Sequence, residues 1–329
     1  MIAPVPQFSV ELPRARLGEG PTPLRPLPGL AGAAAVWVKE DGLYGPYGGN
    51  KARKLEWLLA DARRRGRRTV ITGGAIGTNH GLATALYARD LGMRTVLVLV
   101  PQPESEHVRV QLERMRAAGA ELHFARGPVR AFGLAATLIV RRASPPLRLP
   151  YLILPGGSVP LGCVGYVEAG FELARQIADG EIREPSAVVL ALGSGGTAAG
   201  LLLGMRAAGI RSRLVCVIVN DITPVSARSV ARLARRTRRL LARRRAKLPE
   251  FEITSADLEA RRDWLGSGYG HPTAAAARAS EVFAREGVTL DPVYTAKAAA
   301  ALLDLNDRGE LGAGPVLFWN TYSAPAAIG

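Results

Sequence analysis

The sequence predicts an α/β protein built on largely parallel sheet with helices on both faces. Short β-branched runs bounded by glycine and proline alternate with longer Ala/Leu/Arg stretches of helical period. The 329 residues match about two domains of roughly 100–200 residues each, or one large α/β unit. Glycine-rich turns stand where strands give way to helices, the position at which such sheets bind ligands.

The elements follow in order. A strand is expected at 35–38 (Ala-Val-Trp-Val), then a glycine turn and a helix over 51–65. Thr-Val-Ile-Thr at 69–72 reads as the next strand and 79–91 as its helix; the alternating Val/Leu run at 95–100 precedes a helix over 104–118. A short strand at 121–124 and a helix over 129–142 come next, then a strand at 152–154 and a helix over 162–177. The continuous apolar run 187–192 has the character of a strand buried on both faces, followed by a helix over 197–208. A strand at 214–219, helices over 225–245, 273–286 and 294–305, and a strand at 315–319 complete the pattern. Internal repeats are absent from the sequence, and a Pro/Ser/Arg cluster at 144–150 marks a candidate domain change.

Composition narrows the class. With 48% apolar and 22% charged residues the chain reads as globular, which excludes disordered and collagen-like classes. Cys163 and Cys216 are too few for a disulfide framework and lack zinc spacing, so a reducing, cytoplasmic setting and no metal are expected. The first residues lack a signal-peptide pattern, and no stretch reaches the roughly 18 apolar residues of a membrane span. The net charge of +15 concentrates between Arg228 and Lys247. That segment is either a salt-sensitive binder of nucleic acid or anionic surfaces, or a solvated basic helix. It holds no aromatic residue, so the solvated helix is the more economical reading and nucleic acid is not the expected partner.

Lysine occurs five times in a chain with 43 basic residues. Unlike a guanidinium, an ammonium can lose its proton and attack. Lys51 follows Gly45-Pro-Tyr-Gly-Gly-Asn50 and opens a helix, where the helix dipole disfavours an added cation. It is either a neutral nucleophile or an ordinary solvated residue. Lys54, one turn on, faces the same side and suits an anion. The loop Gly193-Ser194-Gly195-Gly196-Thr197 joins a buried strand to an apolar helix, a phosphate-binding arrangement. Gly193, Gly195 and Ala198 also satisfy a dinucleotide fingerprint with Asp221 as the ribose acid, so a nicotinamide enzyme stays open. Thr78, Asn79 and His80 follow a glycine-lined turn, where Asn79 either caps the helix or contacts a carboxylate or phenolate ligand. Ser158, Tyr269, Tyr294 and Thr295 stand on similar turns; each tyrosine taken singly reads as packing.

In combination the blocks resemble the 1-aminocyclopropane-1-carboxylate deaminase and D-cysteine desulfhydrase family of pyridoxal-phosphate enzymes. The stretches that carry it are Lys39-Glu-Asp, Gly48-Gly-Asn-Lys-Ala-Arg-Lys-Leu-Glu56 and Gly74-Ala-Ile-Gly-Thr-Asn-His80, then Gly156-Gly-Ser, Leu161-Gly and Gly165-Tyr-Val-Glu168. Gly193 to Thr197, Gly268-Tyr-Gly270 and Asp291-Pro-Val-Tyr294 complete the set. Residues 105–150 and 221–262 contribute almost nothing. The resemblance implies fold type II: two domains, each an open, mostly parallel sheet flanked by helices, with the cofactor in the cleft between them. It implies a large domain of 1–52 and 163–329, a small one of 53–162, and a homodimer.

For the site, the resemblance implies that pyridoxal 5'-phosphate is held covalently by Lys51, its phosphate by Gly193, Ser194, Gly195, Gly196 and Thr197 with Lys54, its phenolate oxygen by Asn79, and its ring nitrogen by Thr321. Thr78, Asn79, His80 and Ser158 would meet the substrate, with Tyr294 and Tyr269 at the reacting carbon. A hydroxyl at Thr295, where a carboxylate would keep the ring nitrogen protonated, and His80 in place of glutamine favour β-elimination from a small D-amino acid such as D-cysteine over cyclopropane ring opening. Two departures stand out. Gly77-Thr78-Asn79 replaces the usual Gln-Ser-Asn, and Asn320-Thr321-Tyr322-Ser323 replaces the usual His-Thr-Gly-Gly, so that Tyr322 should fill space or redirect the chain.

Overall fold

The computed structural model describes residues 5, 7–30, 32–47, 49–143 and 148–322. Gly48, Ser323 and most of the candidate boundary at 144–150 lie outside them.

Two sheets form rather than one. The first strands are β1 (Leu24–Pro26) and β2 (Val36–Lys39), followed by the helix α1 (Lys51–Arg64). Next come β3 (Thr69–Ala75), α2 (Asn79–Asp90), β4 (Arg94–Val100), α3 (Glu106–Ala117), β5 (Glu121–Phe124), α4 (Pro128–Arg141) and β6 (Tyr151–Leu152). The chain continues through α5 (Pro160–Ala178), β7 (Ala187–Leu192), α6 (Gly196–Ala207), β8 (Arg213–Ile218), α7 (Ala227–Arg243) and β9 (Glu259–Arg261). It ends with α8 (Ala274–Arg285), α9 (Thr295–Asp307) and β10 (Val316–Trp319). The larger sheet has the order β1-β2-β10-β7-β8-β9, parallel except for β1; the smaller is β5-β4-β3-β6 and parallel throughout. Strands from both ends of the chain thus build the larger sheet, and the smaller one is inserted between β2 and β7.

Every expected strand and helix is present, with boundaries moved for identifiable reasons. Helix α5 begins at Pro160, whose missing N–H is harmless in a first turn. Helix α7 starts after Ser226, which forms a capping box with Ser229. The expected strand at 152–154 pairs in register with β3 at Tyr151 and Leu152, and the Ile153 N–H still donates to the Ile71 carbonyl at 2.8 Å before the chain turns at Pro155. The short edge strands β1 and β9 escaped the pattern, one ending in proline and the other carrying two charges across three residues.

The larger sheet is buried on both faces, as its apolar strands foretold. In β7, Val188, Leu190 and Leu192 pack on one side with α5, α6 and α7, and Ala187 and Val189 pack on the other with α8 and α9. Leu214, Cys216 and Ile218 of β8 join the first face and Val215 and Val217 the second. Both cysteines are buried free thiols inside this core.

Helices α5 and α6 meet along glycines. A Cβ at Gly204 would lie 2.2 Å from the Val167 carbonyl oxygen, and one at Gly200 would lie 2.5 Å from that of Cys163. Helix propensity alone would make Gly204→Ala stabilising by about 1 kcal/mol. Backbone cannot yield as a flexible side chain can, so overpacking of about 1–3 kcal/mol wins. The variant is expected to unfold at lower urea concentration; an unchanged or higher midpoint would remove this account of the seam.

A buried ion cluster fastens α1 to both β2 and α5. Arg53 Nε donates to Asp41 Oδ1 at 2.7 Å and its Nη2 to Glu172 Oε1 at 3.0 Å. Lys39 Nζ donates to the same Glu172 oxygen at 2.6 Å, and Tyr166 Oη to Asp41 Oδ2. Burial alone would raise the Glu172 carboxyl, yet Arg53 and Lys39 overcome it and hold it down at about 2.

Candidate active site

A cavity of about 500 Å³ opens where the carboxyl ends of the two sheets face each other, and Lys51, Lys54, Thr78, Asn79, His80, Ser194, Thr197, Tyr269, Tyr294, Thr295 and Thr321 all line it. Residues scattered over most of the sequence are therefore brought to one place.

Lys51 is the first residue of α1, and its Nζ donates to Asn50 Oδ1. Desolvation, then the nearby Lys54 ammonium, push its pKa well below the ordinary lysine value, against a smaller pull from Asp291. The amine is thus disposed to be neutral. Asn50 also donates through Nδ2 to Thr197 Oγ1 at 3.2 Å, tying the lysine to the start of α6. The sequence reading gave Asn50 no role.

Around Lys54 the surroundings call for an anion. The side chain is buried, its Nζ donates to the Gly156 carbonyl at 3.2 Å, and among the described residues it forms no ion pair. Desolvation lowers its pKa to about 8. Close by, Gly195 precedes α6 in the left-handed region (φ 87°) and supplies no side-chain cap. A Cβ on Gly196 would sit 3.0 Å from Lys54 Nζ and 2.6 Å from Ser158 Oγ. Only glycine leaves room here beside the helix N-terminus and the ammonium.

Ser158 departs from the sequence reading. Its Oγ accepts from the Gly196 N–H at 3.0 Å and pairs with Ser194 Oγ at 2.7 Å, so it braces the glycine loop instead of joining Thr78 and Asn79. The α2 cap is also reassigned: Thr78 Oγ1 accepts from the Gly81 N–H at 3.2 Å, which leaves Asn79 free of capping. Asn79 is gripped instead by two residues, donating to Asp291 Oδ2 at 3.0 Å and accepting from Gln111 Nε2 at 2.5 Å. His80 is buried with Nε2 3.1 Å from Thr72 Oγ1, while its Nδ1 has no hydrogen-bond partner among the described residues. Desolvation, then Lys51 and Lys54, hold this imidazole neutral.

Tyr269 and Tyr294 form a pair, hydroxyl to hydroxyl at 2.6 Å. Burial raises both phenols, Tyr269 to about 12, so each keeps its proton at neutral pH. The Tyr269 loop is held by Asp221, whose Oδ1 accepts from the Tyr269 N–H at 2.9 Å, and by Lys297, which donates to the carbonyls of Leu265 and Gly268. Asp221 is therefore occupied in positioning a loop, against the ribose role considered for it. Thr295 Oγ1 accepts from the Asp291 N–H at 2.7 Å, and the Thr321 carbonyl accepts from the Asn50 N–H at 3.0 Å. Tyr322 lines the cavity.

Asp291 and Gln111 were missed. Asp291 is buried, and its Oδ1 accepts from the N–H groups of Val293 and Tyr294, a turn that Asp-Pro-x-Tyr spacing foreshadows. Gln111 lies in the stretch 105–150 that carried no resemblance, and nothing local marks it.

The comparisons with known proteins agree on the family. The family described as "Pyridoxal-phosphate dependent enzyme" matches residues 15–321. The chain is 37% identical over 325 residues to a D-cysteine desulfhydrase of Salmonella choleraesuis, covering 95% of each. To the D-cysteine desulfhydrase of Klebsiella pneumoniae it is 35% identical over 342 residues, covering 97% of each. A solved structure titled as an ACC deaminase homologue superposes with a TM-score of 0.80 at 34% identity, covering 95% of this chain and 92% of that one. The residues of this chain fit pyridoxal phosphate: a desolvated amine suits an aldehyde, and a buried ammonium with no ion pair among the described residues, beside a glycine-only helix start, suits a phosphate. The nicotinamide alternative is thereby set aside, and the chain belongs to the pyridoxal-phosphate dependent enzymes, among the 1-aminocyclopropane-1-carboxylate deaminases and D-cysteine desulfhydrases.

Proposed function

We propose that the protein is a lyase that removes a β-substituent and the amino group from a small amino acid, with D-cysteine giving sulfide, ammonia and pyruvate. The observation that carries this reading is that Lys51, its charge disfavoured by desolvation and by Lys54, opens onto the same cavity as the glycine loop and the tyrosine pair. Pyridoxal phosphate, when bound, supplies the electron sink that makes an α-proton removable.

The chain's residues divide the remaining work. Lys51 holds the cofactor aldehyde and moves the proton at the substrate α-carbon. Lys54 and the N–H groups of residues 193–197 hold the phosphate, while Asn79, fixed by Asp291 and Gln111, meets the phenolate oxygen. Thr78, Asn79 and His80 face the substrate carboxylate, and the protonated Tyr294–Tyr269 pair donates to the departing group. Thr321 approaches the ring nitrogen. With the Thr295 hydroxyl bonded to backbone, no carboxylate comes from that position to keep the nitrogen charged. This favours expulsion of a good leaving group over ring opening.

In this reading 53–162 act as the small domain against 1–52 and 163–329, supported by all strands of the smaller sheet lying within 69–152, and the protein works as a homodimer, which sedimentation velocity tests. No helix of the described residues is long and apolar enough to cross a membrane. The deciding experiment is a panel of D- and L-amino acids with 1-aminocyclopropane-1-carboxylate, scored for keto-acid release. Release from D-cysteine is expected; release from the cyclopropane acid alone would overturn the assignment.

A further inference from the structure

The cavity continues past the polar groups into an apolar lobe. Its polar lining comes from α1, the starts of α2 and α6, and the turn before α9. The lobe is walled by Phe132, Ala136 and Ile139 of α4, with Leu152 of β6 and the following Leu154. None of these side chains carries a hydrogen-bonding group, so neither a phosphate nor a carboxylate has a partner among them. The face is also incompletely covered. Among the described residues Leu138 is the only buried one of α4, Phe132 is 68% exposed, and Leu152 and Leu154 remain more than 40% exposed. An apolar surface left open and continuous with a reaction site is characteristic of ligand binding rather than of folding.

We propose that this lobe receives an apolar substituent on the substrate's β-sulfur, so that S-substituted cysteines bind and react better than cysteine itself. The proposal rests on the β-elimination reading and names the substrate class for the same site. The chemistry balances without oxidant or reductant. The Cα–H and Cβ–S bonds break, sulfur leaves with the bonding pair and gains a proton as the thiol, and one water converts the rest to pyruvate and ammonia.

The test uses holoenzyme with cysteine and S-benzylcysteine, both enantiomers of each, read by titration of the visible cofactor band and by keto-acid release. For the reactive enantiomer, S-benzylcysteine is expected to bind at least about tenfold tighter than cysteine, the lower end of what a well-fitted apolar group contributes. Ala136→Glu, an exposed position outside the core, should weaken S-benzylcysteine at least about tenfold and leave cysteine within about twofold. Phe132→Ser should act in the same direction. Equal affinity for the two amino acids, or a variant that weakens both alike, would overturn the proposal. Keto acid from cysteine with no gain from the benzyl group removes the lobe and keeps the lyase reading. Tighter benzyl binding with no keto acid from any amino acid keeps the lobe as a binding site and overturns both the gain in reaction and the lyase reading.

Discussion

Lys51→Ala is expected to cut keto-acid release by at least about 10³-fold, within the range that a positioned proton-transfer group contributes. It should also leave no borohydride-trapped adduct on the α1 peptide. Both effects follow from one amine, which stands at the first turn of α1 with its charge disfavoured by desolvation and by Lys54. Lys51→Arg should fail as completely, because a guanidinium keeps its proton and cannot attack. Lys54→Ala should behave differently. Its ammonium lies against the start of α6, so the variant should still be trapped at Lys51 while requiring more added cofactor for saturation. Peptide mapping by mass spectrometry after reduction decides between the two lysines; an adduct on Lys54, or activity surviving in Lys51→Ala, would sink the assignment.

Glu172→Ala should be the most damaging change for stability, costing about 3–5 kcal/mol, the penalty of stripping a buried ion cluster of one partner. The carboxylate accepts from Lys39, from Arg53 and from the Thr22 N–H and hydroxyl, so its loss leaves two cations buried with less compensation. Set against a typical stability of about 5–15 kcal/mol, this should move the urea midpoint by a large fraction of its value. The sign with pH is fixed too. A carboxyl held at about 2 contributes stability that is complete above its ordinary range and lost as pH falls toward 2. The wild-type protein should therefore lose more stability than Glu172→Ala between pH 5 and pH 3 in urea titrations, and parallel losses would contradict the assigned charge state.

Much of this was written in local pattern. The runs that became β7 and β8 are apolar without interruption because helices cover both faces, and glycine loops marked the strand ends that meet at the cavity. Legibility failed where partners are distant in sequence. Asp291 reaches Asn79 across 212 positions, and Gln111 reaches it from a stretch with no motif. Lysine scarcity pointed to Lys51 and Lys54, which both line the cavity, yet Lys39 and Lys297 serve structure, one in the ion cluster and the other tethering the Tyr269 loop. The Arg-rich segment is partly structural as well, since Arg235 and Arg238 donate to the carbonyls of Ile253 and Pro249.

Strand β10 lies between β2 and β7 in the larger sheet although, among the described residues, it is the last strand to be made. On the ribosome, β2 and β7 wait with open edges until residue 319 has cleared the exit tunnel, and only then can they be zipped together. The inserted β3–β6 sheet has no such delay. The nascent chain should therefore acquire a protease-resistant inner fragment first and become able to capture vitamin B6 only once β10 is in place between β2 and β7.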